Sequence, residues 1–216
     1  RRELIDTLPL ARKAQHRVLG DRTLQALPRK FTVAFDGGGA VSAFAEACDL
    51  GFRAVAVPPG EAVPPGVYFR LLLGGATSHA RYGRDAGVVV APERCLDVLE
   101  HVLLLYVEHG DRTNRRRARL AYLLETWGMP RFVAELRERL RRAGAAAGPR
   151  DDTRGEPSAQ GELAPLPELP LDRCQPSARP DPLGHIGFHN QKPRGTSYVG
   201  VVIDRAELTP DRARGL

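Results

Sequence analysis

Between residues 143 and 182 the chain changes character: its longest part, GAAAGPRDDTRGEPSAQGELAPLPELP, is rich in Ala, Gly, Pro, Asp and Arg and carries little apolar periodicity. Such a stretch buries too little apolar surface to offset the entropy of ordering it, so the span 143–182 is expected to be a linker. The break divides the 216 residues into a connecting segment at 1–22, a folded body at 23–142 and a short tail at 183–216. The core must come from the body.

Within the body, Phe31–Phe35, Phe52–Val57, Val67–Leu73 and Val88–Val90 are short β-branched or aromatic runs bounded by Gly and Pro, which predicts strands. Helices are expected over Pro92–His109, where Leu96, Leu99, Val102, Leu103 and Tyr106 recur at helical spacing before Gly110, and from Thr113 to Trp127 with Thr113 as the cap. A third runs over Pro130–Arg142 with Phe132, Leu136 and Leu140 on one face. The tail predicts a strand at Tyr198–Ile203 and a helix starting at Thr209 and Pro210.

Charge and cysteines narrow the chemistry. The formal net charge is +6, from 32 Lys and Arg against 26 Asp and Glu, so the surface favours anionic partners. The longest apolar region, Val98–Val107, is broken by Glu100 and His101 and falls short of a membrane span. Cys48, Cys95 and Cys174 stand far apart with no metal-ligand spacing, so neither a zinc site nor a disulfide framework is indicated and a reduced, cytoplasmic setting is expected. Neither a membrane nor a nucleic-acid partner is expected.

Several segments place chemistry-bearing residues at strand ends. In Leu27-Pro28-Arg29-Lys30-Phe31-Thr32-Val33, alternation puts Lys30 and Thr32 on one face and Phe31 and Val33 on the other, so Lys30 is either a solvated strand entrance or an anion ligand. Asp36-Gly37-Gly38-Gly39 lacks dinucleotide-site spacing and reads as a loop or a close backbone approach. Leu71–Gly75 empties a buried strand into a glycine turn, where freed amides can border a ligand or simply turn the chain. At the expected helix start, Arg112, Arg115, Arg116 and Arg119 crowd one side, either as a solvated face or as an anion site. His101 and His109 are expected at the boundary of a packed helix, Trp127 in the core, and Cys48 as a small buried hydrophobe.

In order along the chain, LPRKF at Leu27–Phe31, LLLGG at Leu71–Gly75, GDRTNRRRARLAYLLETWG at Gly110–Gly128 and FVAEL at Phe132–Leu136 resemble the sirohaem-containing nitrite and sulfite reductase family. The tail, GHIGFHNQKPRGTSYVGVVIDRAELTPDRARGL, is similar to the opening of that family's second ferredoxin-like repeat. The resemblance implies an α+β chain: a central α/β sirohaem-binding domain with a mixed sheet and three helices, then the truncated start of a ferredoxin-like half-domain. It implies that Lys30 is catalytic beside the substrate anion, with Arg29 and Thr32 next to it at the cofactor. It also implies that the Gly74-Gly75 backbone borders the tetrapyrrole and that Arg119, with Arg112, Arg115 and Arg116 nearby, neutralises sirohaem carboxylates. The implied reaction is multi-electron reduction of nitrite to ammonia, or of sulfite to sulfide. Electrons would arrive from ferredoxin or a reductase partner through a [4Fe-4S] cluster.

Three departures shape these expectations. Thr32 stands where sulfite reductases commonly carry Lys and nitrite reductases Asn; its neutrality, with the Asp36-Gly-Gly-Gly loop, points to nitrite. Three isolated cysteines cannot supply four thiolates, so no metal ligand is assigned and the cluster ligands are expected outside this chain. The first ferredoxin-like repeat is expected to precede Arg1, making the chain a fragment that is inactive alone. The competing reading is a non-redox tetrapyrrole or anion-binding module; use of the arginines for nucleic acid is disfavoured because no aromatic residues interleave with them.

Overall fold

A computed structural model describes residues 3–39, 41–77, 80–146, 166–175, 186–190, 194–201 and 214. The chain separates into two units, Arg1–Ala178 and Arg179–Leu216.

The first unit is built on four strands, each overlapping one of the expected runs: β1 (Val33–Asp36), β2 (Leu50–Val57), β3 (Gly66–Leu73) and β4 (Arg84–Val90). They lie in sequence order, with β1 parallel to β2 and the other pairs antiparallel, so the sheet is mixed. The parallel pair forces the chain to cross over between Asp36 and Leu50, and that crossover ends in a single turn of 3-10 helix at Ala45–Ala47.

Side chains alternate across the sheet with the period of two that strand geometry dictates. Phe35, Phe52, Ala54, Phe69, Leu71, Leu73, Val88 and Val90 face the main core, where Phe35 stacks on Phe52 at 4.8 Å. Val55, Val57, Tyr68 and Val89 point the other way into a smaller cluster.

Three helices cover the main face: α3 (Cys95–His109), α4 (Leu120–Trp127) and α5 (Met129–Ala146), joined by α1 (Leu8–Gly20) and α2 (Arg22–Gln25) near the N-terminus. Helix α3 buries Val98, Leu99, Val102, Leu103, Leu105 and Tyr106; of the expected stripe, Leu99, Val102, Leu103 and Tyr106 are buried and Leu96 is half-buried. Helix α1 lies within the span 1–22 expected to be merely connecting; Ala14 is buried and Leu10 and Val18 pack on the core.

Two expectations are corrected. Helix α4 begins at Leu120, with Arg119 as its N-cap, rather than near Thr113. Asp111 is the reason: its Oδ1 accepts from the Thr113 and Asn114 amides and the Thr113 hydroxyl, which fixes a turn where the helix was expected. The four arginines therefore do not share one helical face.

Within the span 143–182 expected to be a linker, residues 166–175 are packed onto the sheet. Leu166 joins the main core, while Leu169 and Cys174 complete the smaller cluster. Glu168 bridges to Val88 on β4 and Gln175 to Ala56 on β2, so this strap crosses the outer face from one strand to the other. Arg70, almost fully buried on that face, forms a fork with Asp85 and donates to the Leu169 carbonyl. Arg137 of α5 holds the strap from the side through the Leu166 carbonyl and Glu168. Prolines interrupt the strap's leucines, which hid its periodicity in the sequence.

In the second unit, β5 (Gly187–Asn190) pairs antiparallel with β6 (Ser197–Gly200), which overlaps the strand expected at Tyr198–Ile203 over residues 198–200. Phe188, Ile186, Val199 and Val201 are exposed on this hairpin. Of the helix expected from Thr209, only Arg214 falls among the described residues, and it is helical.

Candidate active site

Asp49 is fully buried at the entrance of β2, and three separate elements converge on it. Its Oδ2 accepts from the Thr32 amide at 2.8 Å and the Thr32 hydroxyl at 2.9 Å, and its own amide donates back to that hydroxyl at 3.1 Å. The Arg119 guanidinium closes a fork on it, Nε to Oδ1 at 2.9 Å and Nη2 to Oδ2 at 2.7 Å. Its carbonyl accepts from the Gly74 amide at 2.8 Å. Thr32, Gly74 and Arg119, far apart in sequence, are thus joined through one carboxylate residue.

A fork between a guanidinium and a carboxylate satisfies both buried charges, and the Thr32 donors occupy remaining lone pairs. Arg119, at the N-cap of α4, has its side chain directed inward rather than toward solvent.

The glycine turn has an internal cause. Gly74 adopts φ +88°, and a Cβ there would come 2.9 Å from Leu124 Cδ1. A Cβ on Gly75 would lie inside contact distance of the Glu46 and Cys48 carbonyl oxygens, and the Gly75 amide donates to Cys48. Close passage of the turn over residues 46–48 demands glycine, whatever else it borders.

Tyr106 of α3 ties the strand entrance from its other side. Its hydroxyl donates to the Ala118 carbonyl at 2.5 Å, while its ring packs on Phe31 at 5.4 Å. Burial pushes its phenol up to about 12, the nearby Asp49 charge adding to the effect and Arg119 opposing it.

With the strand entrance so held, Lys30 is exposed and Arg29 half-buried, and neither forms an ion pair with a described residue. Arg115 and Arg116 are likewise exposed and without an ion-pair partner among the described residues. Arg112 instead spans the Ala26 and Val107 carbonyls at 2.6 and 3.0 Å, bracing α2 against α3. Next to Gly74 a cleft of about 610 Å³ opens between the sheet end and α4, lined in part by Arg81, Tyr82, Arg84 and Met129. Arg81 and Arg117 both stack on Tyr122 and pair with Glu125.

Asp49 and Tyr106 escaped the sequence reading as site residues. The available signal was a lone acidic residue placed between Cys48 and the strand Leu50–Val57, where a buried carboxylate needs a cation. The histidines are modest: His101 Nδ1 meets the Asp97 carbonyl at 2.8 Å, and His109 packs on Trp127 at 4.7 Å.

Comparison with known proteins places this geometry. The family described as "Nitrite and sulphite reductase 4Fe-4S domain" matches residues 1–143. A ferredoxin–nitrite reductase of Leptolyngbya laminosa is 31% identical over 95% of this chain and 36% of its own length. The sulfite reductase [NADPH] hemoprotein beta-component of Myxococcus xanthus is 44% identical over 53% of this chain and 21% of its own. The structure of the Mycobacterium tuberculosis NirA protein shares the fold, with a TM-score of 0.64 at 24% identity over 91% of this chain and 30% of that one. The chain therefore spans about a third of the nitrite reductase it matches.

The family's cofactors are sirohaem and a [4Fe-4S] cluster, and the residues fit them unequally. The exposed cations Lys30, Arg115 and Arg116, with Arg29, suit a macrocycle ringed by carboxylates. The thiols do not suit the cluster: burial raises the pKa of Cys48, Cys95 and Cys174, and no grouping of potential metal ligands occurs among the described residues. The match over residues 1–143, the mixed sheet and the shared fold lead to one assignment: the chain belongs to the nitrite and sulphite reductase family.

Proposed function

We propose that this chain is the haem-cradling centre of an assimilatory nitrite reductase, which converts nitrite to ammonia with electrons delivered by ferredoxin. One observation carries the choice of substrate: Thr32 is neutral and its hydroxyl is turned onto Asp49, so no second cation stands two residues after Lys30. Nitrite carries a single charge and needs less cationic compensation than sulfite. The nitrite reductase relative also aligns across 95% of the chain, tail included, whereas the sulfite reductase relative aligns across 53%.

In this reading sirohaem supplies the iron to which the anion binds. Lys30 and Arg29 hold the anion's charge and place donors where its oxygens leave. Arg115 and Arg116 pair with the macrocycle's carboxylates. The backbone of the Gly74 turn borders the macrocycle and keeps its edge dry. The cluster ligands belong to another part of the protein.

The test is turnover of nitrite and sulfite by the full-length protein with reduced ferredoxin as donor. The expected outcome is a kcat/KM for nitrite at least about 100-fold above that for sulfite. A preference for sulfite overturns the reading. Thr32→Lys narrows the ratio and Thr32→Asn preserves it.

A further inference from the structure

The strand entrance that carries Arg29 and Lys30 is held in a closed circuit. Phe31, the residue after Lys30, packs its ring on Tyr106 at 5.4 Å, and the Tyr106 hydroxyl donates to the Ala118 carbonyl. The next residue, Arg119, forks onto Asp49, and Asp49 returns to Thr32, two residues after Lys30. Phe31 and Thr32, the two residues after Lys30, are thereby fastened, while the side chain of Lys30 is left exposed.

We propose that Asp49 and Tyr106 are positioning residues for the anion site: their circuit through Thr32, Ala118 and Arg119 fixes the height and direction from which Arg29 and Lys30 meet a bound anion. The inference rests on the nitrite reductase reading and deepens it. It also assigns Arg119 a new part. Its charge is spent on Asp49, so the pair adds no net charge, and the cations facing a carboxylate-ringed cofactor are Arg29, Lys30, Arg115 and Arg116. Thr32 acts likewise through Asp49, since its hydroxyl both donates to the carboxylate and accepts from the Asp49 amide. A lost tether lets a flexible lysine stray from its productive geometry, and misplacement of about 1 Å is enough to weaken a catalytic contact strongly.

The experiment uses the full-length holoprotein and four variants: Thr32→Val, Thr32→Ser, Asp49→Asn and Tyr106→Phe. Nitrite affinity is read from the shift of the sirohaem absorption band without reductant, and backbone protection from amide hydrogen exchange across residues 27–33. Thr32→Val and Asp49→Asn are expected to raise the Kd for nitrite by about tenfold and to speed exchange at the Thr32 amide by at least as much. Thr32→Ser, which keeps the hydroxyl, brings both readings back to within about threefold of the parent. Tyr106→Phe, which keeps the ring on Phe31 but frees the Ala118 carbonyl, gives a smaller loss of affinity. An unchanged Kd alongside a lowered melting temperature would reduce the circuit to a structural brace and overturn the proposal. So would unchanged exchange at residues 29–32. If Asp49→Asn does not fold, the Thr32→Val and Thr32→Ser pair decides alone. A parent protein with no nitrite-induced spectral shift defeats the functional reading instead, while the exchange data still judge the circuit.

Discussion

Arg119 and Asp49 meet through two parallel hydrogen bonds, with 8% of the arginine side chain and none of the aspartate side chain exposed. Removing one member of such a pair strands the other charge in the interior. Arg119→Met is therefore expected to destabilise the chain by about 3–5 kcal/mol in urea unfolding. Arg119→Lys, which keeps the charge but loses the planar fork, should cost less than that and more than a surface substitution. A loss below about 1 kcal/mol for Arg119→Met would mean that solvent reaches Asp49.

Tyr106 links stability to alkaline pH. Its phenol moves from an ordinary value of 10.0 up to about 12 in the folded chain, chiefly through burial. A pKa raised on folding means that the folded state holds its proton more tightly. The stabilisation is complete below pH 10, is lost as pH rises toward about 12, and is absent above that. Stability measured at steps across this range should fall, and Tyr106→Phe should remove most of the slope while lowering stability at neutral pH by about 1 kcal/mol. A slope unchanged in Tyr106→Phe would assign the effect to another group.

The strands, α3 and α5 were legible because alternation and helical spacing survive whatever the tertiary context. What escaped was decided by partners distant in sequence. Asp111 capturing the Thr113 and Asn114 amides is a local competition that helical spacing does not register. The strap at 166–175 has too few apolar residues to signal a core element, and is held by Arg70 and Arg137 from elsewhere in the chain. At the site, Thr32, Gly74 and Arg119 could be singled out from their segments, but not that they meet, because Asp49 carries no local pattern. Arg112, read as part of either a solvated face or an anion site, braces α2 against α3, since a guanidinium serves a carbonyl as readily as a carboxylate.

The strap yields its own prediction. Leu169 is buried against Val55, Val57, Tyr68 and Val89, so Leu169→Ala should cost about 2–4 kcal/mol, the range for truncating a buried leucine. Arg70→Ala should cost a similar amount, because Asp85 and the Leu169 carbonyl lose their shared donor. The two variants combined should cost less than their sum, as they loosen the same contact. Strict additivity in the double variant would show that strap and arginine act independently.

Two glycines with opposite surroundings give a paired test of the site's packing. Gly144 lies in the last turns of α5, and a Cβ placed there would meet nothing within 4 Å, so Gly144→Ala should stabilise the chain by about 0.5 kcal/mol through reduced unfolded-state freedom. Gly75 meets the carbonyl oxygens of Glu46 and Cys48, which are backbone atoms that cannot rotate aside. Gly75→Ala must push residues 46–48 away and drag the adjoining Asp49 with them, for an expected loss of about 2–3 kcal/mol. Because Asp49 connects that segment to Thr32, the damage should spread: amide exchange at Thr32 should quicken in Gly75→Ala and stay unchanged in Gly144→Ala. A Gly75→Ala protein as stable as its parent would mean that the turn and the 46–48 segment can separate without cost, and that the close passage is not what fixes Asp49.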